Sequence, residues 1–125
     1  MKKPHRELKV WQKSVDFIIH VYELTEKFPK SELYSLTGQL RRASISIASN
    51  IAEGAARRSP REFLQFLTIA RGSISEIDTH LEIVGRLGYA LPKQLDPLDA
   101  ELTELDRMLS GLMRSIRRKG LAEST

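Results

Sequence analysis

The chain has 125 residues, of which 41% are hydrophobic and 29% are charged, and its formal net charge at pH 7 is +4. This composition is typical of one folded domain with a single hydrophobic core and excludes a disordered tail. The absence of cysteine excludes disulfides, thiolate zinc sites and cysteine nucleophiles. No apolar run reaches the roughly 18 residues of a membrane span, and the first residues lack a signal-peptide pattern, so we predict a cytoplasmic protein without membrane contact.

The first predicted helix, residues 6–27, is more apolar than one core requires. A stripe with helical spacing comprises Leu8, Trp11, Val15, Ile18 and Tyr22. A second apolar set lies beside it and comprises Val10, Phe17, Val21, Leu24 and Phe28. Together they cover an arc of roughly 160°, against the ~100° that packing on one core needs. The surplus indicates either a fully buried helix or an oligomer in which the outer part of the arc meets another subunit.

Two further stripes predict helices over residues 32–56 and 60–87. The first comprises Leu33, Leu36, Leu40, Ala43, Ile47, Asn50 and Gly54. The second comprises Phe63, Leu67, Ala70, Ile74, Ile77, Leu81 and Val84. Ser59, Pro60 and Glu62 have the spacing of a capping box with proline at the first helical position. Gly88 is placed to end the third helix in a left-handed conformation.

Helix two contains many small residues and two polar ones that need an explanation. A hairpin of helices two and three sets Ala43 and Ser44 opposite Gly72 and Ser73, so that a close approach would compensate the ~1 kcal/mol cost of Gly72. Asn50 occupies a core position, where a lone asparagine usually fixes register or oligomeric state. Glu53 has Arg57 four residues later as an ion-pair partner. We interpret Asn50 and Glu53 as structural, because no base or nucleophile has a matching spacing.

The fourth helix is predicted over residues 97–119. Its stripe comprises Leu95, Leu98, Leu102, Leu105, Leu109, Leu112 and Ile116. Pro92 and Pro97 predict a broken start before a cap at Asp96, and Gly120 is predicted to end the helix. No segment alternates with period two, so we predict no sheet. Short connections predict an all-α, antiparallel up-down-up-down four-helix bundle over residues 1–125 as one domain.

Antiparallel packing would gather positive charge at one end of the bundle. The cations concerned are Lys2, Lys3, Arg6, Lys9, Arg57, Arg58, Arg61, Arg114, Arg117, Arg118 and Lys119. The acids expected beside them are Glu7, Glu53, Glu62 and Glu123. The opposite end and the adjoining half of helix four hold Glu23, Glu26, Glu32, Glu82, Asp96, Asp99, Glu101 and Glu104. We therefore predict an electrical dipole along the long axis.

Two interpretations of the basic end stay open. A focused basic surface is typical of phosphate-backbone binding, and it can equally be a solvated end that serves solubility. No pattern for sequence-specific reading is present. Arg41 and Arg42 either line a pore of an oligomeric ring or pair with acids of a neighbouring subunit, and the second interpretation is favoured.

Patterns for catalysis are missing from the sequence. His20 and His80 are the histidines on predicted helices, and neither belongs to a Glu-x-x-His pair of a di-iron bundle, so we place both on the surface. The run "EGAARRSP" lacks the spacing of a phosphate-binding loop. We predict a protein that is not an enzyme and needs no cofactor or metal.

A family resemblance covers nearly the whole chain. The runs "RRASISIASNIAEGAARRS" and "LGY", with Trp11, Tyr22, Gln39 and Glu76, carry it. The chain resembles the bacterial four-helix-bundle family of ribosomal-RNA intervening-sequence proteins, which includes the accessory variability determinants of diversity-generating retroelements. Ala48 departs from it, because proline is common there.

The resemblance implies a positively charged, ring-shaped homopentamer without a known catalytic activity. It also implies partners. Retroelement members bind nucleic acid and a reverse transcriptase, and intervening-sequence members are associated with ribosomal RNA. We therefore expect either a nucleic-acid-associated protein or a protein-interaction scaffold, such as an accessory subunit of a reverse transcriptase.

Overall fold

The computed structural model describes residues 3–124, with side chains through residue 120. Its four long helices are α1 (Lys9–Thr25), α2 (Leu36–Ala55), α3 (Pro60–Leu87) and α4 (Pro92–Ser124). Short 3-10 helices at Pro4–Glu7 and Lys30–Glu32 precede α1 and α2. All four long helices contribute to one hydrophobic core, and residues 3–124 contain no strand. The chain therefore folds as an all-α four-helix bundle.

The start and end of α4 differ from the prediction. The helix runs unbroken from Pro92 through Pro97, so the predicted broken start is wrong. Proline at position 97 leaves only the carbonyl of Lys93 without its helical donor, and Lys93 is an exposed first-turn residue that water can reach. Gly120 does not end the helix either, because within the described residues only Gly88 has the positive φ of a glycine cap.

The boundaries of α3 agree with the sequence signals. The Glu62 amide donates to Ser59 Oγ at 3.3 Å, and Pro60 occupies the first turn. At the other end Gly88 has a φ of 76°, in the left-handed region. Both predicted caps of α3 are confirmed.

The core face of α1 is the second apolar set and not the first stripe. Val10, Phe17 and Val21 are buried, whereas Trp11 and Val15 are only half-buried. The predicted main stripe is therefore wrong. Both stripes have helical spacing, and the buried one is interrupted by two polar residues that hide its apolar character. These are Ser14 and Thr25, whose hydroxyls donate to the carbonyls of Trp11 at 2.7 Å and Val21 at 2.8 Å.

Two contacts lie near the ends of neighbouring helices. Between α1 and α2, Arg41 Nε donates to Thr25 Oγ1 at 2.9 Å. Between α3 and α4, a Cβ added at Gly120 would lie 3.6 Å from Pro60 Cβ.

The close approach of α2 and α3 occurs at Gly54 and not at Gly72. A Cβ added at Gly54 would lie 2.7 Å from Phe63 Cδ1 and 3.0 Å from Phe66 Cβ, whereas one added at Gly72 meets no heavy atom within 4 Å. The predicted role of Gly72 is therefore wrong. Ser73 faces α2, where it donates a hydrogen bond to Ser46. Gly72 precedes it by one residue, which turns Gly72 by about 100° around the axis of α3, toward solvent.

None of the described helices is both long enough and apolar enough to cross a membrane.

Candidate nucleic-acid interface

The predicted cations lie on segments that meet at one pole of the bundle. Gly120 contacts Pro60, which places the end of α4 beside the start of α3. Gly54 contacts Phe63, which brings the end of α2 to the same place. The 3-10 helix Pro4–Glu7 touches both α1 and α2. We call the resulting surface the basic pole; its members are Lys3, Arg6, Lys9, Arg57, Arg58, Arg61, Arg114, Arg117, Arg118 and Lys119. Lys2 lies outside the described residues.

The side chains of the basic pole face solvent. Every member is exposed, and Arg57 is the one member that has a carboxylate of residues 3–120 within 4.0 Å. That partner is Glu53, at 3.3 Å, which confirms the predicted pair four residues apart. The Glu53 side chain is 56% exposed, so it is a surface group and not a buried structural one. Such an exposed pair contributes about 0.3–0.5 kcal/mol.

The opposite pole carries charges of both signs, with more acids than bases. Lysines and arginines accompany the acids there, namely Lys27, Lys30, Arg86 and Lys93. Arg86 Nε donates to Glu82 at 2.8 Å, which neutralises one of the predicted acids. The four cations offset only part of the charge of the eight predicted acids, so the negative surplus is smaller than the acids alone imply, and the dipole stays a prediction.

A hydrogen-bonded carboxylate ties the two connections of the opposite pole together. The hydroxyls of Ser35 and Tyr89 donate to Glu32 at 2.6 and 2.7 Å. The Ser35 hydrogen bond, followed by the Tyr89 bond, lowers the pKa of the Glu32 carboxyl. The same bond to Glu32 raises the pKa of the Tyr89 phenol, because ionisation would remove the donated proton.

Asn50 and its neighbours connect α2 to α3. The Asn50 amide donates to the Ser46 carbonyl at 2.8 Å and to Ser46 Oγ at 2.9 Å. Ser73 Oγ in α3 donates to Ser46 Oγ at 3.0 Å. Asn50 is half-buried and not in the core. The predicted core position of Asn50 is therefore wrong, and its structural role stays a prediction.

Arg41 is engaged within its own chain. Besides its hydrogen bond to Thr25, its guanidinium carbon lies 4.5 Å from the centre of the Tyr22 ring. This contact between α1 and α2 was missed, because sequence spacing does not show which residues face each other across two helices. Arg42 is exposed, so pairing with another subunit stays a prediction for Arg42.

The two helical histidines have different environments. His20 is exposed, and its Nδ1 lies 2.7 Å from Glu101 Oε1. His80 is buried, at 6% relative exposure, so its predicted surface position is wrong. It shares a helical face with Ile77 and Val84, which carries it into the core. Burial lowers the pKa of His80, and the Glu76 carboxylate, 3.8 Å from Nε2, opposes that shift.

We expect the free energy of unfolding to decrease as the pH is lowered below about 6.5. Below this pH His80 is protonated in the unfolded chain but stays neutral in the folded chain, because burial lowers its pKa. The decrease in the free energy of unfolding is complete once the pH falls below the lowered pKa of the folded chain. Urea unfolding at about pH 8 and about pH 5 measures it. His80→Phe should reduce this pH dependence, and the exposed His20→Gln should not. An unchanged slope in His80→Phe would contradict the assignment.

Within the described residues, no group of three histidine, aspartate or glutamate side chains is arranged to hold a metal ion. The candidate site consists of exposed, positively charged side chains.

The fold and this surface define a small, basic four-helix-bundle protein. The family model described as "23S rRNA-intervening sequence protein" matches residues 6–111. The chain belongs to the 23S rRNA-intervening sequence protein family.

A solved structure has a similar fold. It is the crystal structure of a protein of unknown function from the S23 ribosomal protein family of Bacteroides thetaiotaomicron. The two are 24% identical, with a TM-score of 0.78 over 84% of this chain and 95% of that chain. No curated protein is similar enough to count as a match. The structural likeness supports the helical fold alone.

Proposed function

We propose that this protein is a non-enzymatic, homo-oligomeric, cytoplasmic protein that binds RNA or DNA backbones with little sequence preference. The observation that carries the proposal is the basic pole, whose exposed cations have one carboxylate neighbour within residues 3–120. The arrangement that creates this pole is an antiparallel up-down-up-down bundle. The helix contacts at Thr25–Arg41 and Pro60–Gly120 support that arrangement.

Exposed cations without intramolecular partners attract phosphates over long distances. Each phosphate contact releases counterions, so the affinity depends steeply on salt and not on base identity. Membership of the intervening-sequence family fits a polyanionic partner.

The proposed assembly is a homopentameric ring, and exposed apolar side chains support an interface between copies. On α1, Ile19 is 53% exposed and Tyr22 is 39% exposed. On α2 and α3, Ile45 and Ile69 are 40% and 53% exposed. Large apolar side chains at such exposure favour association. A ring would bring several basic poles to one partner and so raise the avidity.

Nucleic-acid binding is tested by titrating labelled RNA and DNA at about 50 mM and about 200 mM salt. If the pole makes 6–10 phosphate contacts, the affinity should decrease by roughly 10³ to 10⁵ between these conditions. The double variant Arg117→Gln/Arg118→Gln should bind more weakly. The matched control Lys27→Gln/Lys30→Gln removes the same charge from the opposite pole and should bind as the unmodified protein does. No binding at low salt, or equal losses in both variants, would refute the proposal.

A second candidate function is a protein-interaction scaffold, such as an accessory subunit of a reverse transcriptase. An apolar group at the opposite pole favours it: Leu33 is 44% exposed, Tyr34 is 92%, Leu87 is 53% and Leu91 is 56%. A protein partner that co-purifies after nuclease treatment, and is lost on Tyr34→Ala, would support this function.

A further inference from the structure

The positive charge of the basic pole continues along the seam between α3 and α4. Arg71 Nε lies 3.9 Å from Asp106 Oδ1, which places Arg71 beside the turn of α4 that carries Arg107. Pro60 contacts Gly120, which places Arg61 beside the last turns of α4. We call this part of the molecule the basic seam; its members are Arg61, Arg71, Arg107, Arg114, Arg117 and Arg118, all exposed.

The arginines of the basic seam form two rows, one on α3 and one on α4. Each row is as long as a stretch of several phosphates in a nucleic-acid strand. From residue 61 to 71 the helix rises about 15 Å, and from 107 to 118 about 16 Å. Packed helices lie about 8–10 Å apart. One strand of a duplex carries a phosphate about every 3.4 Å of axis, so the rows span about four phosphates.

Arg71 and Arg107 are available for exchange with phosphate. Arg71 is 46% exposed and Asp106 is 50% exposed, with 3.9 Å between the charged atoms. Arg107 donates from Nε and Nη2 to Glu104, which lines the cleft between α1 and α4, and the Arg107 side chain is 74% exposed. An exposed pair such as Arg71–Asp106 is worth about 0–1 kcal/mol, so a phosphate competes easily for Arg71. Arg107 must exchange two hydrogen bonds to Glu104, or bind phosphate through its remaining N–H groups.

Acidic residues mark where the basic seam ends. Beyond Asp106, the clefts between α3 and α4 are lined by Asp78, Glu82, Asp96 and Asp99. These carboxylates repel phosphate, although Arg86 in the same cleft offsets one of them through Glu82. A polyanion would therefore occupy the half of the seam next to the basic pole.

Aromatic side chains near the basic pole are covered. The Arg6 guanidinium lies 5.4 Å from the Trp11 ring and the Arg57 guanidinium lies 5.0 Å from the Phe66 ring. The basic seam itself contains no aromatic residue within the described chain. Proteins that hold single strands usually stack bases on aromatic side chains. The basic seam has cations but no aromatic side chains on which bases could stack. This favours a duplex as the ligand, because the bases of a duplex are already stacked on one another.

We propose that the phosphate backbone of a nucleic-acid duplex lies along the basic seam, with Arg71 and Arg107 as binding residues. This inference rests on the proposed function, and it adds the surface, two residues and the strandedness of the ligand.

The decisive experiment measures the salt dependence of binding to one labelled duplex and to its single strand. The double variant Arg71→Gln/Arg107→Gln should reduce the slope of log K against log salt by about 1.8, or roughly 0.9 per lost contact. The control Lys27→Gln/Lys30→Gln, which removes the same charge elsewhere, should leave the slope unchanged. Thermal unfolding of each variant establishes that the fold persists.

A gain-of-function variant tests the same surface independently. Asp106→Asn should strengthen duplex binding, because it removes a competitor for Arg71 and a repulsive charge. Asp16→Asn makes the same change on α1, away from the seam, and should have a smaller effect.

The possible failures are distinguishable. If the unmodified protein binds no nucleic acid at low salt, the proposed function and this inference both fail. If it binds but prefers the single strand, or if the Arg71/Arg107 variant behaves as its control does, only the basic seam is refuted.

Discussion

Phe17→Ala is expected to lower the free energy of unfolding by about 3–5 kcal/mol. The Phe17 side chain is completely buried, at 0% exposure, in the core that all four helices share. Truncation removes the transfer free energy of the ring and leaves a cavity that neighbouring side chains fill only in part. Because domains of this size are stable by about 5–15 kcal/mol, the variant should lose about a fifth or more of its stability. Urea unfolding followed by circular dichroism measures the loss.

Ile19→Ala is the matched control on the same helix. Ile19 is 53% exposed, so truncation should cost well under 1 kcal/mol in the free energy of unfolding of one subunit. If Ile19 lies in an interface between copies, the variant should instead weaken assembly, which sedimentation at several protein concentrations detects. Equal destabilisation of the subunit by both variants would contradict the orientation of α1 described above.

Gly54→Ala is expected to destabilise the protein by about 1–3 kcal/mol, the usual cost of overpacking. The added Cβ would lie 2.7 Å from Phe63 Cδ1, 3.0 Å from Phe66 Cβ and 3.2 Å from the Phe63 carbonyl oxygen. Two of these atoms belong to or adjoin the backbone, so α2 and α3 must move apart. The gain in helix propensity, about 1 kcal/mol, offsets only part of that strain.

Gly72→Ala should have the opposite effect. The added Cβ meets nothing within 4 Å, so the substitution should stabilise α3 by up to about 1 kcal/mol through helix propensity alone. Thermal unfolding of both variants at one protein concentration gives the comparison. A stabilised Gly54→Ala, or a destabilised Gly72→Ala, would show that the contact between α2 and α3 lies elsewhere.

The contact at Gly54 also bears on the basic pole. Gly54 meets Phe63 where α2 ends and α3 begins, and Arg57 covers the neighbouring Phe66 ring. A shift of the two helices would therefore change the spacing of the arginines on both sides of the connection. Stability and nucleic-acid affinity are expected to be coupled at this position.

Much of the fold could be predicted because its signals are local. The caps of α3 depend on side chains within a few residues, so Ser59 and Gly88 were identified correctly. The apolar spacing of α3 likewise gave its core face, since Leu67, Ala70 and Ile74 are buried. The basic pole could be proposed because the connections between the helices are short. Short connections favour antiparallel neighbours, which would bring the cationic segments to one end of the bundle.

Other features could not be predicted because they depend on contacts between distant segments. The two stripes of α1 have the same period, and only packing shows that Phe17 faces the core. The role of Arg71 depends on Asp106, 35 residues later in the chain. The burial of His80 was not predicted, because histidine is a polar residue and was assigned to the surface. Its spacing from Ile77 and Val84 on the apolar face of α3 indicates a buried position.

The sequence by itself determined that this protein is helical, where α3 begins and ends, and which residues carry its surplus of positive charge. These properties follow from spacing, capping and composition, which act over a few residues. The tertiary structure decided which face of α1 is buried, which glycine permits close packing, and which cations extend the basic pole along the seam between α3 and α4. Those outcomes depend on the register between helices, which contacts such as Ser46–Ser73 and Pro60–Gly120 fix across the fold.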